Sequence, residues 1–321
     1  MTKRKSYIDR LKGIAIILVV MGHVITFSMN HPIDDKLIKI ISSFHMPLFM
    51  FLSGFVLSSP PNYKKLAKRF KQLIIPFLTI GLSYTLYMQH SIEDFFTNDA
   101  KLGYWYLFVL FIFNLFLLLF KLNTFNNNNL KILCDIIIAI VIYTVLWGLS
   151  KLDSKANNLL SIYFFIKVWP FFIVGHLINK YHNLFNQLKQ ENNIYTISFI
   201  GTILYFCMVS RNFNSILFSL TCPFFVITTL FYIFVRRQKS YLCVERALED
   251  IGKNTLEIYT LHYFLIANIR LDFLNQYFTN NTIIEFITIT IIAIIIIAII
   301  YLITYLIKQS KLLHSFLFGR F

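Results

Sequence analysis

Ten windows of apolar residues, each long enough to cross about 30 Å of hydrocarbon, constrain the fold before any single residue is considered. They lie near residues 12–30, 38–58, 72–90, 104–121, 131–149, 159–178, 193–210, 216–235, 251–269 and 282–307. Inside a bilayer each backbone N–H and C=O must be satisfied within its own segment, so every window is expected to be a helix. The expected fold is all-α, a polytopic membrane bundle of about ten transmembrane helices. With 57% hydrophobic residues and 35 Phe among 321, the chain lacks the polar surface of a soluble domain.

The formal charge of +15 has to be judged by where the charges fall. Lys3, Arg4, Lys5, Arg10 and Lys12 precede the first window, and Lys64, Lys65, Lys68, Arg69 and Lys71 separate the second from the third. Arg236, Arg237, Lys239, Lys308, Lys311 and Arg320 fall on that same side. The intervening loops, at 31–37 and 91–103, carry Asp34, Asp35, Glu93, Asp94 and Asp99 against Lys36 and Lys101. This is the positive-inside pattern; it places both termini in the cytoplasm of a multi-pass protein of the plasma (inner) membrane. It also assigns the basic excess to membrane lipids rather than nucleic acid. The N-terminal basic stretch and apolar core lack a small-residue cleavage site and are read as a retained first span. Cys134, Cys207, Cys222 and Cys243 form no CxxC pair, so neither a metal site nor a disulfide framework is indicated.

Polar groups inside the windows carry the functional signal. Lys12 and His23 are eleven residues apart, three helical turns plus about 20°, and so share a face at a separation of about 16 Å. Asp9 lies close to the same stripe. Intramembrane ionisable groups default to a functional role, although Lys12 can also serve as a snorkelling anchor and His23 as a structural histidine bonded to a neighbouring helix. In the second window, FHMPLFMFLSGF carries His45, a proline kink at Pro47, and Ser53-Gly54, a site for close approach of another helix or a thin ligand. Clustered lysine and arginine at 64–71 fit lipid phosphates, the common explanation, and a phosphorylated cofactor would use the same chemistry. Lys167 sits within the sixth window, placed either to snorkel outward or to pair with a buried acid. In the ninth, Thr255, Tyr259 and His262 share a face while Glu257 points elsewhere. His23 and His262 each lie about ten or eleven residues into their windows, about 15 Å deep. Two imidazoles at that depth, above a cytoplasmic cation cluster, suggest a proton-handling centre joined to an anion site.

These residues resemble the acyltransferase-3 family of integral membrane acyltransferases, which includes bacterial polysaccharide O-acetyltransferases. Lys12 and His23 match its basic residue, ten residues, then His. FHMPLFMFLSGF at 44–55, RFKQLIIP at 69–76, WYL at 105–107, WPFFIVG at 169–175 and IGKNTLEIYTLH at 251–262 are similar to further family blocks, in order. Where the family usually has a second arginine this chain has Gln72, so only Arg69 matches. Some relatives append a soluble SGNH-type domain; here acceptor transfer is expected to be completed by the membrane bundle itself.

The resemblance implies one transmembrane acyltransferase domain over 1–321 that takes acetyl-CoA or another acyl-CoA as co-substrate, without a metal. It delivers the acyl group to a hydroxyl of a polysaccharide or lipid-linked glycan. His23 would act as general base, with a transient acyl-histidine as the competing mechanism. Lys12, Lys68, Arg69 and Lys71 would hold the CoA phosphates. His45, Ser53, Tyr259 and His262 would orient the base or stabilise the oxyanion. The alternative from another class is a transporter or exporter of a lipid-linked sugar in which the same groups line a path; a scaffold for glycan assembly is a weaker third. A homo-oligomer is compatible with the sequence.

Overall fold

The computed structural model describes residues 5–29, 36–57, 59–151, 154–182, 192–210, 216–236, 242–278 and 282–320. Among these residues there is no strand, and the chain is an all-α membrane protein. Its helices are α1 (Ser6–His23), α2 (Lys36–Phe55), α3 (Tyr63–Tyr87), α4 (Ile92–Thr97), α5 (Trp105–Phe116), α6 (Asn128–Leu149), α7 (Ser154–Leu160), α8 (Ile162–Lys180), α9 (Asn192–Ser210), α10 (Ile216–Thr221), α11 (Pro223–Arg236), α12 (Cys243–Lys253), α13 (Thr255–Ile266), α14 (Asn275–Phe278), α15 (Thr282–Gln309) and α16 (Lys311–Phe318).

Among the described residues seven helical segments are long and apolar enough to span a bilayer: Ser6–Ser28, Lys36–Phe55, Trp105–Leu122, Asn128–Leu149, Ile162–Lys180, Phe218–Arg236 and Thr282–Gln309. The remaining three windows are helical as well, but differ from expectation in instructive ways. That at 72–90 is the apolar end of α3, whose first turns carry the basic cluster and whose last helical residue is Tyr87. That at 193–210 lies on α9, whose stretch Asn193–Val209 is an apolar helix shorter than those seven. The window at 251–269 is two helices, because Asn254 leaves helical geometry at φ −108° and ψ 25° and ends α12 where α13 starts. Hydropathy alone averages across such a break. Of the loops read from charge, 31–35 lies outside the described residues, and 91–103 holds the short α4, capped by Ser91 and Asp94. Lys101, expected as a surface charge there, is instead buried, donating to the carbonyls of Phe96, Asn98 and Asn158 at 2.7, 2.8 and 2.6 Å. Burial pulls its pKa down to about 8, so at neutral pH the ammonium keeps one N–H for each carbonyl.

The backbone divides into two compact units, one of Met1–Leu52 and Tyr181–Tyr305, the other of Ser53–Lys180 and Leu306–Phe321. In the first unit α1 is the central element. Its fully buried residues include Leu11, Ala15, Ile16 and Val20, and Phe231 of α11 receives the ring edges of Tyr7 and of Phe51 on α2, each at 5.7 Å. Against α12 the packing is backbone on backbone. A Cβ on Gly252 would lie 1.7 Å from the Asp9 carbonyl oxygen, and one on Gly13 would lie 2.2 Å from that of Leu248. Both pairs have residue numbers that sum to the same value, which is the register of an antiparallel crossing. Polar contacts one face over keep that direction: Ser6 donates to Glu249 at 2.7 Å, and Arg10 pairs with Glu245 at 3.2 Å. After Asn254 the chain reverses, and α13 runs parallel to α1. Tyr263 meets His23, then the Ile266 carbonyl accepts from Ser28 at 3.3 Å.

In the second unit an aromatic core fills the space between α5 and α8. Phe113 contacts Phe165, Trp169 and Phe172 at 5.4, 5.0 and 4.9 Å, and the Trp169 indole N–H donates to the Ala139 carbonyl of α6 at 3.1 Å. Gly54 on α2 allows the close approach expected of it, since a Cβ there would sit 1.9 Å from the Phe172 carbonyl. The end of α2 is capped from α8, where Asn179 donates to the Phe55 carbonyl at 2.6 Å and His176 bonds that of Leu57. Asp135 on α6 accepts from Asn123 at 2.7 Å and pairs with Lys180.

The Asp9–Gly252 contact leaves no room for a methyl group, and its near neighbour is backbone that cannot rotate away. Gly252→Ala is expected to destabilise the protein by about 1–3 kcal/mol or more, read as a lower Tm in detergent. Gly148→Ala, where a Cβ meets nothing within 4 Å, should leave Tm unchanged or raise it slightly.

Candidate active site

His23 ends the α-helical part of α1, and the next five residues, Val24–Ser28, form a π-helical turn. Single π turns inside helices recur at functional sites because they re-aim the side chains beside them. The ring of His23 is half-buried and stacks on Phe27 at 5.5 Å and 22°. Its Nε2 lies 2.9 Å from the Tyr263 hydroxyl, and Tyr263 is its one hydrogen-bond partner among the described residues. His262, next to Tyr263 on α13, has its ring centroid 5.2 Å from that of His23, and Tyr259 approaches His262 at 5.9 Å. His45 on α2, together with His262, is within electrostatic reach of His23.

The three imidazoles are held differently. His45 and His262 each sit one helical turn after a carbonyl that accepts from Nδ1–H, Ile41 at 2.7 Å and Ile258 at 3.0 Å. A neutral ring that spends its proton this way presents Nε2 as an acceptor. On His262 that nitrogen is buried and finds no hydrogen-bond partner among the described residues, a state that most buried polar atoms avoid. His23 does the opposite: Nε2 is engaged, and Nδ1 makes no hydrogen bond among the described residues.

The rest of the expected stripe on α1 is rearranged. Lys12 is half-buried, three turns before His23. The wholly buried cation is Arg10, expected as a loop charge. It pairs with Glu245 and lies 5.5 Å from the Phe234 ring centroid. Asp9 is buried at the Gly252 contact. Glu257 is buried on the face of α13 turned toward Tyr301 of α15.

The second unit holds the other candidates. Ser53 Oγ and Tyr106 Oη are 2.7 Å apart, Tyr106 is buried, and Arg69 is within electrostatic reach of it. Lys68 and Lys71 are exposed and Gln72 is half-buried. Lys167 is exposed over the ring of Tyr163 at 5.8 Å, a snorkelling cation rather than a buried partner. Among the described residues no three His, Cys, Asp or Glu side chains are grouped to hold a metal ion.

The structure thus brings His23, His262 and Tyr259 together with His45 nearby, and it pairs Ser53 with Tyr106. Tyr263, Tyr106, Arg10 and Glu245 escaped sequence reasoning. Tyr263 directly follows His262, so its neighbour drew the attention. The i,i+4 pair Glu245 and Glu249 in a short polar helix was the available signal for Ser6 and Arg10.

The family model described as an acyltransferase domain matches residues 5–302. The nodulation protein NolL of Mesorhizobium japonicum is 27% identical over 186 residues, 53% of this chain and 46% of that protein. NolL of Sinorhizobium fredii is 38% identical over 78 residues, 22% of this chain and 21% of that one. A protein of Staphylococcus aureus named as a probable poly-β-1,6-N-acetyl-D-glucosamine export protein is 24% identical over 251 residues, 69% of this chain and 71% of its own length. The chain therefore spans less than half the length of the NolL proteins it matches. No solved structure matches it. With the family model extending through both compact units and all but the ends of the sequence, the chain belongs to the acyltransferase-3 family.

Proposed function

We propose that the protein is a membrane O-acyltransferase, residues 1–321 acting as one domain, that moves an acetyl or other acyl group from acyl-CoA to a hydroxyl of a cell-surface polysaccharide or its lipid-linked precursor. The observation that carries the reading is the setting of His23. It is half-buried beside His262 and bonded to Tyr263 of a neighbouring helix, in a chain of an acyltransferase family. An alcohol is a weak nucleophile at neutral pH, and a base that takes its proton during attack contributes about 10²–10⁴ in rate. The alcohol proton passes to His23 as the alcohol oxygen bonds to the thioester carbonyl carbon. The carbon–sulfur bond then breaks, and the departing thiolate takes the proton from the imidazolium, giving ester and CoA thiol.

His262, whose buried Nε2 is an acceptor, fits a role in receiving the hydroxyl, and Tyr259 and His45 orient the imidazoles around it. In the second unit Arg69, Tyr106 and Ser53 form the polar set assigned to acyl-CoA, with Lys68 and Lys71 as outlying cations for its phosphates. The location is the plasma (inner) membrane, as the positive-inside pattern supports. A polysaccharide acceptor draws support from the glycan in the name of the Staphylococcus aureus relative.

That name also favours a second reading, in which the chain exports a glycan and makes no bond. Purified protein in nanodiscs with labelled acetyl-CoA and N-acetylglucosamine oligosaccharides separates the two. Label transfer to the sugar supports the first reading; glycan movement in proteoliposomes without thioester consumption supports the second.

His23→Ala is expected to lower turnover by at least about 10² while leaving a folded, membrane-inserted protein; full turnover would remove His23 from the chemistry. Arg69→Gln should raise the KM for acyl-CoA more than Lys68→Gln, because the exposed lysine is screened by solvent; equal effects would reduce Arg69 to a topology anchor. His262→Leu removes a buried acceptor that has no partner among the described residues. Thermal unfolding should show Tm unchanged or raised while turnover falls.

A further inference from the structure

We propose that Tyr263 is the positioning residue of this site: its hydroxyl oxygen accepts from Nε2–H of His23, fixing the tautomer in which Nδ1 is the base. The inference rests on the reading of His23 given above and adds which nitrogen acts and what holds it.

Three observations carry it. The first is the 2.9 Å contact between Tyr263 Oη and His23 Nε2, between buried Tyr263 on α13 and the last α-helical residue of α1. The second is the contrast among the imidazoles. On a helix, a proton on Nδ1 can be held by the carbonyl four residues back, as His45 and His262 show, or by a carbonyl of another segment, as His176 shows with Leu57. No such bond exists at His23, so nothing on its own helix retains a proton on Nδ1, whereas a phenol oxygen stands at Nε2. A tyrosine hydroxyl can accept while its own proton points elsewhere. The third is exposure. Tyr263 and His262 are buried at 4% and 0%, while His23 is half-buried, so of the three residues His23 is the least enclosed. The arrangement does what an orienting carboxylate does in a triad, holding the N–H of one ring nitrogen so that the other keeps its lone pair. It does so without placing a negative charge in the membrane, where a carboxylate would be costly.

Ring centroids at 4.8 Å for His23–Tyr263, 4.1 Å for His262–Tyr263 and 5.2 Å for His23–His262 form a triangle in which each ring packs against the other two, which limits the rotation of the tyrosine. The same packing separates the roles: His262 contributes an acceptor of its own, and Tyr263 acts only through His23.

The test uses the full chain in nanodiscs with isotope-labelled histidine. Nitrogen NMR should show His23 protonated on Nε2 and bare on Nδ1. Tyr263→Phe should shift it to a tautomer mixture and lower kcat by about tenfold or more, with the KM for acyl-CoA within about twofold. A proton on Nδ1 of His23 in the native protein, or an unchanged kcat in Tyr263→Phe, overturns the proposal. If Tyr263→Phe fails to fold, ring-fluorinated tyrosine at 263 keeps the shape but weakens the oxygen as acceptor. A fall in kcat at constant KM then supports the role, and no change overturns it. Inactive His23→Ala beside fully active Tyr263→Phe sinks the positioning role alone; turnover in both sinks the reading of His23 as base.

Discussion

The contact on which the first unit depends is the meeting of two backbones, α1 against α12, at Gly13 and Gly252. Within a bilayer, lipid tails are as apolar as leucine, so burying side chains gives helices little reason to associate; close backbone packing and interhelical polar bonds supply the drive. Both occur here. Each glycine admits the carbonyl of the facing helix to a distance that even alanine would forbid. One turn separates Asp9 from Gly13 and Leu248 from Gly252, so the two contacts fix spacing and register at once. Because α13 starts directly after α12, at the Asn254 break, this register also decides where His262 and Tyr263 arrive. The surroundings of His23 are thereby set by glycines more than two turns away from it.

The Arg10–Glu245 pair answers a different need. Removing both charges from water costs more than their attraction returns in many proteins, so such a pair is weak as a source of stability. It is strong as a constraint, because a slip of one residue along the crossing would leave two buried charges unmatched. The i,i+4 spacing of Ser6 and Arg10 on one helix answers that of Glu249 and Glu245 on the other. Only the antiparallel direction satisfies both.

Long apolar runs were the legible part of the sequence, since a 20-residue hydrophobic window has few alternatives to a helix in lipid. The meeting of His23 and His262 was partly legible too: equal depth is arithmetic on rise per residue. What depth cannot supply is direction. The window at 251–269 reads as one span because Ile251 and Gly252 are as apolar as the residues of α13, yet they belong to a helix running the opposite way. Arg10 was misread for a related reason. Charge near a window's edge suggests a loop, and nothing in the sequence before residue 245 says that an acid will cover it. Ser53-Gly54 was legible as a place of close approach, but Tyr106, which bonds Ser53, looks from sequence like one more aromatic at a membrane boundary. The wholly buried Lys101 was hidden equally well, because its three carbonyl acceptors come from backbone geometry.

A helix can engage its own histidines: at His45 and His262 the carbonyl four residues back holds Nδ1–H, whereas His176 bonds the Leu57 carbonyl of another segment. His23 bonds no carbonyl of its own helix among the described residues, and the residue after it opens the π turn Val24–Ser28. The Thr26 hydroxyl bonds the Gly22 carbonyl at 2.9 Å, a back-bond of the kind that bends helices, and Phe27 stacks on the imidazole from the turn itself. From the opposite side Tyr263 offers a replacement partner at the other nitrogen. One cross-helix hydroxyl thus gives His23 a partner that its own helix does not supply. This explains why three histidines within reach of one another need not share one role.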